Sequence, residues 1–190
     1  EKESGSLMLQ TGVSGAAKSG NVLIMTGSKV SPELASGSII LKPGSAENYA
    51  GGVEILAGTS EDAAGGNIKL KSGSGVLSGL SGQIELSTSA SSSESGNLNV
   101  YTGASASSGS IVVMTGQSSE GQVGHVNISA GKTEGDSAGT LIFNAGNSTG
   151  VSNGGKSLLN GGASVEGKGG DVEISAGSSI EEAGGTMVVK

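Results

Sequence analysis

Residues 170–177 read Gly170-Asp171-Val172-Glu173-Ile174-Ser175-Ala176-Gly177, and this line decides how the rest of the chain is read. Two branched aliphatics, Val172 and Ile174, alternate with polar residues, and a small residue and a glycine close the line. A period of two is that of a β-strand with one covered face. The same grammar recurs as Gly20-Asn-Val-Leu-Ile-Met-Thr-Gly27, Gly66-Asn-Ile-Lys-Leu-Lys-Ser-Gly73 and Gly96-Asn-Leu-Asn-Val-Tyr-Thr-Gly103. Its closing position falls at 12, 27, 44, 58, 73, 89, 103, 116, 131, 146, 162 and 177, a mean spacing of 15 residues. These define repeats 1 to 12, and Gly185-Thr-Met-Val-Val-Lys190 begins a thirteenth. Such an internal period is the signature of a repeat architecture.

Composition narrows the function classes. The 190 residues include 37 glycines, two tyrosines, one phenylalanine, one histidine and two prolines, with no tryptophan or cysteine. Without cysteine there is no disulfide scaffold, no thiol nucleophile and no thiolate metal site. All ten basic residues are lysines, and the net charge is −7. An acidic chain without arginine and with few aromatics argues against nucleic-acid binding. No apolar run approaches the length of a membrane-spanning helix. Glycine and serine in this abundance would suit disorder, but the apolar residues are ordered rather than scattered.

The aliphatic pairs Val22/Ile24, Ile39/Leu41, Val53/Ile55, Ile68/Leu70 and Ile84/Leu86 predict a core. Leu98/Val100, Ile111/Val113, Val126/Ile128, Leu141/Phe143 and Val172/Ile174 continue it. In repeat 11 Ser157 takes one of these places beside Leu159. The linkers, such as Thr59-Ser-Glu-Asp-Ala-Ala-Gly65, are rich in turn formers, and their glycines suit positive φ. The expected fold is therefore all-β, a parallel β-solenoid (β-helix) of about 13 short strands over residues 1–190, one continuous domain with about 15 residues per coil. A 30-residue coil of two strands is the alternative. Charge favours the shorter coil. The outward lysines Lys42, Lys69, Lys71, Lys156 and Lys190, and His125, all fall on odd repeats. The acids Glu54, Glu85, Asp171 and Glu173 all fall on even ones. Chance would segregate ten residues this way on the order of once in several hundred. Stacking one repeat on the next would place Lys69 between Glu54 and Glu85, whereas a two-repeat coil would stack like charges. The isolated linker apolars Val30, Ala63, Val76, Val123, Val151, Val165 and Ile180 are expected to line the second side of the coil.

Three lines, Gly51-Gly-Val-Glu-Ile-Leu-Ala-Gly58, Gly65-Gly-Asn-Ile-Lys-Leu-Lys-Ser-Gly73 and Gly169-Gly-Asp-Val-Glu-Ile-Ser-Ala-Gly177, carry a resemblance. On them the chain resembles the long Gly/Ser-rich surface repeat proteins of diatoms and related algae. More distantly it is similar to filamentous-haemagglutinin-type adhesin repeats, which form β-helices. The resemblance implies an extracellular or cell-surface structural role and carries over no catalytic residue.

Chemistry-bearing clusters are thin. His125 is the only imidazole and sits at an outward position. The acid pairs Glu61-Asp62 and Glu181-Glu182 lie in linkers, where charge keeps corners soluble. No calcium nonapeptide and no phosphate-binding loop is present. No catalytic, cofactor or metal residue is assigned, and no enzyme is expected. Two N-glycosylation sequons occur, at Asn127 and Asn147.

The outward side is more apolar than a solvated face requires, with Leu23, Met25, Ile40, Leu56, Tyr101, Val112, Met114, Ile142 and Leu158 as candidate lateral contacts. The terminal repeats lack polar caps, so a slice of a longer array or a filament subunit is expected. The function expected is a non-enzymatic structural or adhesive repeat of an extracellular or cell-surface filament or matrix. Its partners would be copies of itself or neighbouring repeat domains through end-to-end or lateral contacts, with glycans or a mineral or ice surface as further partners. Two alternatives stand beside it. An ice-binding solenoid would use Thr11, Thr26, Thr88, Thr102 and Thr115, a row interrupted by Pro43, Ala57 and Gly161. A carbohydrate-active β-helix enzyme would lack the usual aromatic sugar platforms.

Overall fold

Alternating side chains can specify two faces without specifying what covers them, and among the described residues both are left uncovered. The computed structural model describes residues 4–15, 18–28, 35–75, 79–135 and 137–190. Among them there is no helix and no β-strand, which overturns the parallel β-solenoid and its 30-residue alternative alike. The ladder of stacked Glu54, Lys69 and Glu85 falls with it. The chain exposes 19743 Å². A packed monomer of this mass exposes about 8,000 Å² and an extended chain about 26,000 Å². The area lies much nearer the second figure.

The expected core is overturned residue by residue, since no hydrophobic side chain among the described residues is buried. Val22, Ile24, Ile39, Leu41, Val53, Ile55, Ile68, Leu70, Ile84 and Leu86 are all exposed. So are Leu98, Val100, Ile111, Val113, Val126, Ile128, Leu141, Phe143, Val172 and Ile174. The physical reason is shared by all twenty. One aliphatic pair per repeat forms a face two side chains long, and burial requires a neighbouring segment to lie against that face. No strand pairing brings one there among the described residues. The second member of each pair, as at Ile24, Leu41, Leu70, Leu86, Val100 and Phe143, is the more open of the two.

The order that does exist lies in the linkers. In six of them the amide of the next repeat's opening glycine donates to the carbonyl of the closing glycine just passed. These bonds are Gly51 to Gly44 at 3.1 Å, Gly66 to Gly58 at 2.8 Å and Gly82 to Gly73 at 2.9 Å. Gly155 to Gly146, Gly170 to Gly162 and Gly185 to Gly177 follow, each at 2.8 Å. In the other linkers the opening glycine comes near enough to the small residue before the closing one that a methyl group on it would meet that side chain. Gly20 lies against Thr11, Gly37 against Thr26, Gly96 against Thr88, Gly109 against Thr102, Gly124 against Thr115 and Gly139 against Ala130. The two ends of each linker thus come together at a neck, and where the linker is described throughout it forms a loop in the manner of a short Ω-loop.

The glycines serve these necks by lacking a side chain. Among the described glycines other than Gly79, none has a φ between +20° and +160°, against the expectation from their turn-rich setting. At some necks what they provide is close approach. A methyl group on Gly51 would stand 3.1 Å from Pro43 Cβ, and one on Gly139 would stand 3.2 Å from Ala130 Cβ. At Gly161 it would collide with the carbonyl of Gly170, which explains why that place, small elsewhere, has no side chain at all.

The chain divides into two units, Glu1–Leu98 and Asn99–Lys190. Each holds six necks, and the division falls inside repeat 7 of the single array that the sequence predicts over residues 1–190.

Candidate assembly surface

Beyond each closing position the loop follows one plan. A hydroxyl stands two residues on in nine of the twelve linkers, as Ser14, Ser60, Ser91, Ser105, Ser118, Thr133, Ser148, Ser164 and Ser179. The chain then bends. Every bend among the described residues begins three residues after a closing position, as at 61–63, 119–121, 165–167 and 180–182. The hydroxyl oxygen accepts an amide from across that bend: Ala63 to Ser60 Oγ at 3.1 Å and Gly121 to Ser118 Oγ at 3.0 Å. Gly167 donates to Ser164 Oγ at 2.8 Å and Glu182 to Ser179 Oγ at 3.0 Å. A hydroxyl that satisfies a backbone amide in a turn competes with strand pairing and holds the bend. The alternation of apolar residues says nothing of this hydroxyl, although its fixed distance from the closing glycine is legible once the repeats are aligned.

At the neck the threonines also work locally. Thr11 Oγ1 donates to the Gly20 carbonyl at 3.2 Å, and Thr26 Oγ1 donates to the Gly37 carbonyl at 3.0 Å. The residues that come nearest to burial are Thr11, Pro43, Ala57, Ser72, Thr115 and Ala145, all in the place just before a closing glycine. They share parity with the aliphatic pairs.

Between necks the exposure of the aliphatics follows a gradient. The twenty residues of the expected core run from 47% exposed at Val172 to 73% at Val113. In all ten pairs the member nearer the opening glycine is the better shielded, most clearly for Leu141 over Phe143 and Ile39 over Leu41. Shielding therefore comes from the necks and fades away from them. The candidate lateral residues Leu23, Met25, Ile40, Leu56, Tyr101, Val112, Met114, Ile142 and Leu158 lie at the open end of the scale, from 67% to 82%. The two sets overlap, and the alternation of faces is not carried through: outward Val112, Ile142 and Leu158 are less exposed than their inward neighbours Val113, Phe143 and Leu159. In repeat 6 two outward groups meet on one side, where Ser87 Oγ donates to Glu85 Oε1 at 3.4 Å.

The linker apolars do not line a second side. Val151, Val165 and Ile180 stand free in solvent, Val123 is about half exposed, and Ala63 is exposed at its bend. Val30 and Val76 lie outside the described residues. His125 is exposed, as are both sequon asparagines, Asn127 within repeat 9 and Asn147 in the loop after Gly146. The acid pairs Glu61-Asp62 and Glu181-Glu182 sit on loop bends. Asp171 Oδ2 pairs with Lys168 Nζ at 3.1 Å, an exposed contact within three residues rather than a bridge from Asp171 to Lys156. Among the described residues no three acidic or histidine side chains gather as a metal site, and no cavity is enclosed. No helix among them is long and apolar enough to cross a membrane.

The surface left open among the described residues is thus a series of exposed aliphatic segments joined by linkers whose ends come together. No protein-family model, curated protein or solved structure matches the chain.

Proposed function

We propose that the chain is a non-enzymatic structural or adhesive repeat of an extracellular or cell-surface filament or matrix, in which copies of the chain cover one another's segments. The observation that carries this reading is the contrast between built loops and uncovered aliphatics. Six backbone bonds close necks, while Val172, Ile174 and their equivalents meet water. Burying such side chains is worth about 25 cal/mol per Å² of apolar surface, and nothing within a repeat supplies the cover. The period supports the same reading, because a repeated segment offers many weak contacts in register. The acids and serines of the loops keep the junctions solvated. The resemblance to algal surface repeats supports the extracellular placement.

Light scattering on the purified chain across a concentration series tests the reading. The mass is expected to start at 18.1 kDa in dilute solution and to rise with concentration. A mass of one chain at every concentration overturns it.

A further inference from the structure

Resting on that assembly reading, we infer that the occupant of each segment is a second copy of this chain, parallel and displaced by one repeat. Two observations carry the inference. The first is area. The exposed surface exceeds that of a packed monomer by roughly 12,000 Å², several times what a standard interface of about 1,600 Å² removes from both partners together. Partial coverage by another copy therefore suffices for association.

The second is charge. Odd repeats carry the outward lysines and even repeats the outward acids, and among the described residues no strand ladder brings them together. Parallel pairing in register would set Glu54 on Glu54, Lys69 on Lys69 and Glu173 on Glu173. A displacement of one repeat sets Glu54 against Lys69, Lys69 against Glu85 and Lys156 against Asp171. Opposite charges facing across paired segments are favourable and like charges are not. The same displacement sets each opening glycine against the next, so loops meet loops and, outside repeat 11, aliphatic pairs meet aliphatic pairs. Each added copy repeats the step, so the contact is head-to-tail in kind and does not close on itself. An open filament follows.

The absence of cysteine permits a direct test of register. Asn67 and Gln83 hold the same outward place in repeats 5 and 6. Full-length chains carrying Asn67→Cys alone and Gln83→Cys alone, one of them lengthened by a tag, are mixed, allowed to assemble and oxidised. Extended segments that pair lie about 4.8 Å apart, within the range of Cα separations that a disulfide spans. The mixed disulfide is expected to exceed either homodimer by about tenfold, against about twofold for random encounter. Light scattering on the same mixture separates the two claims. A mass that stays at one chain overturns the assembly reading and this inference together. Assemblies in which homodimers dominate, or in which the products follow random encounter, overturn the displacement alone.

Discussion

The amide of Gly155 donates to the carbonyl of Gly146 across 2.8 Å, and a methyl group on Gly155 would stand 3.0 Å from the Gly146 amide nitrogen. The two ends of the neck differ in this respect. Nothing lies within 4 Å of a methyl group on Gly146 or on Gly162. The chain itself obeys the asymmetry, since every repeat opens on glycine while repeat 6 closes on Ser89. Gly170→Ala should therefore open its neck, and Gly162→Ala should leave it closed. Losing the bond costs about 1 kcal/mol, or about fivefold in the exchange rate of the residue 170 amide. Equal exchange in the two variants would contradict the neck geometry.

The loop hydroxyls give a second prediction. Ser164→Ala removes the acceptor of the Gly167 amide, and that amide should then exchange severalfold faster, for a loss of about 1 kcal/mol. Ser164→Thr keeps the oxygen and should restore most of the protection. An alanine variant as slow as the parent would mean that the bend at 165–167 holds without it.

These loops also mark how far the sequence is readable. The repeat and its boundaries are legible, whereas parity is kept only in part: Val172 and Ile174 are less exposed than Tyr101, but Phe143 is more exposed than Ile142 and Val113 more than Val112. The opening glycine is legible as well, though it serves as room for the neck rather than as freedom of φ. What fails is the step from pattern to packing. A period of two says that Val53 and Ile55, or Leu141 and Phe143, share a side. It does not say whether the surface meeting that side belongs to the same chain. Column charges such as Glu54, Lys69 and Glu85 carry the same ambiguity, because displaced copies and stacked coils bring the same opposite charges together. Asp171 belongs to a periodic column but its partner Lys168 does not, and only geometry reveals the pair.

Assembly should depend on the face rather than on charge in general. Ile128→Asp places a carboxylate among aliphatics that another copy would cover, whereas Asn127→Asp adds the same charge on the other side. The first should raise the concentration for half-maximal association by about tenfold or more, since burying a charge or losing an aliphatic contact each costs upwards of about 1 kcal/mol. The second should change it by no more than about threefold. Light scattering on both variants checks this, and equal effects would show that the two faces are not distinguished.

The most direct measurement is urea unfolding of the dilute, single chain followed by far-ultraviolet circular dichroism. A packed domain of this size loses its structure in one cooperative step with a slope of about 1–3 kcal/mol per molar urea. A chain whose necks close one by one and whose aliphatics already meet water should instead change gradually, with no shared midpoint. A sharp transition with the slope of a packed domain, in solutions where the mass is that of one chain, would contradict it.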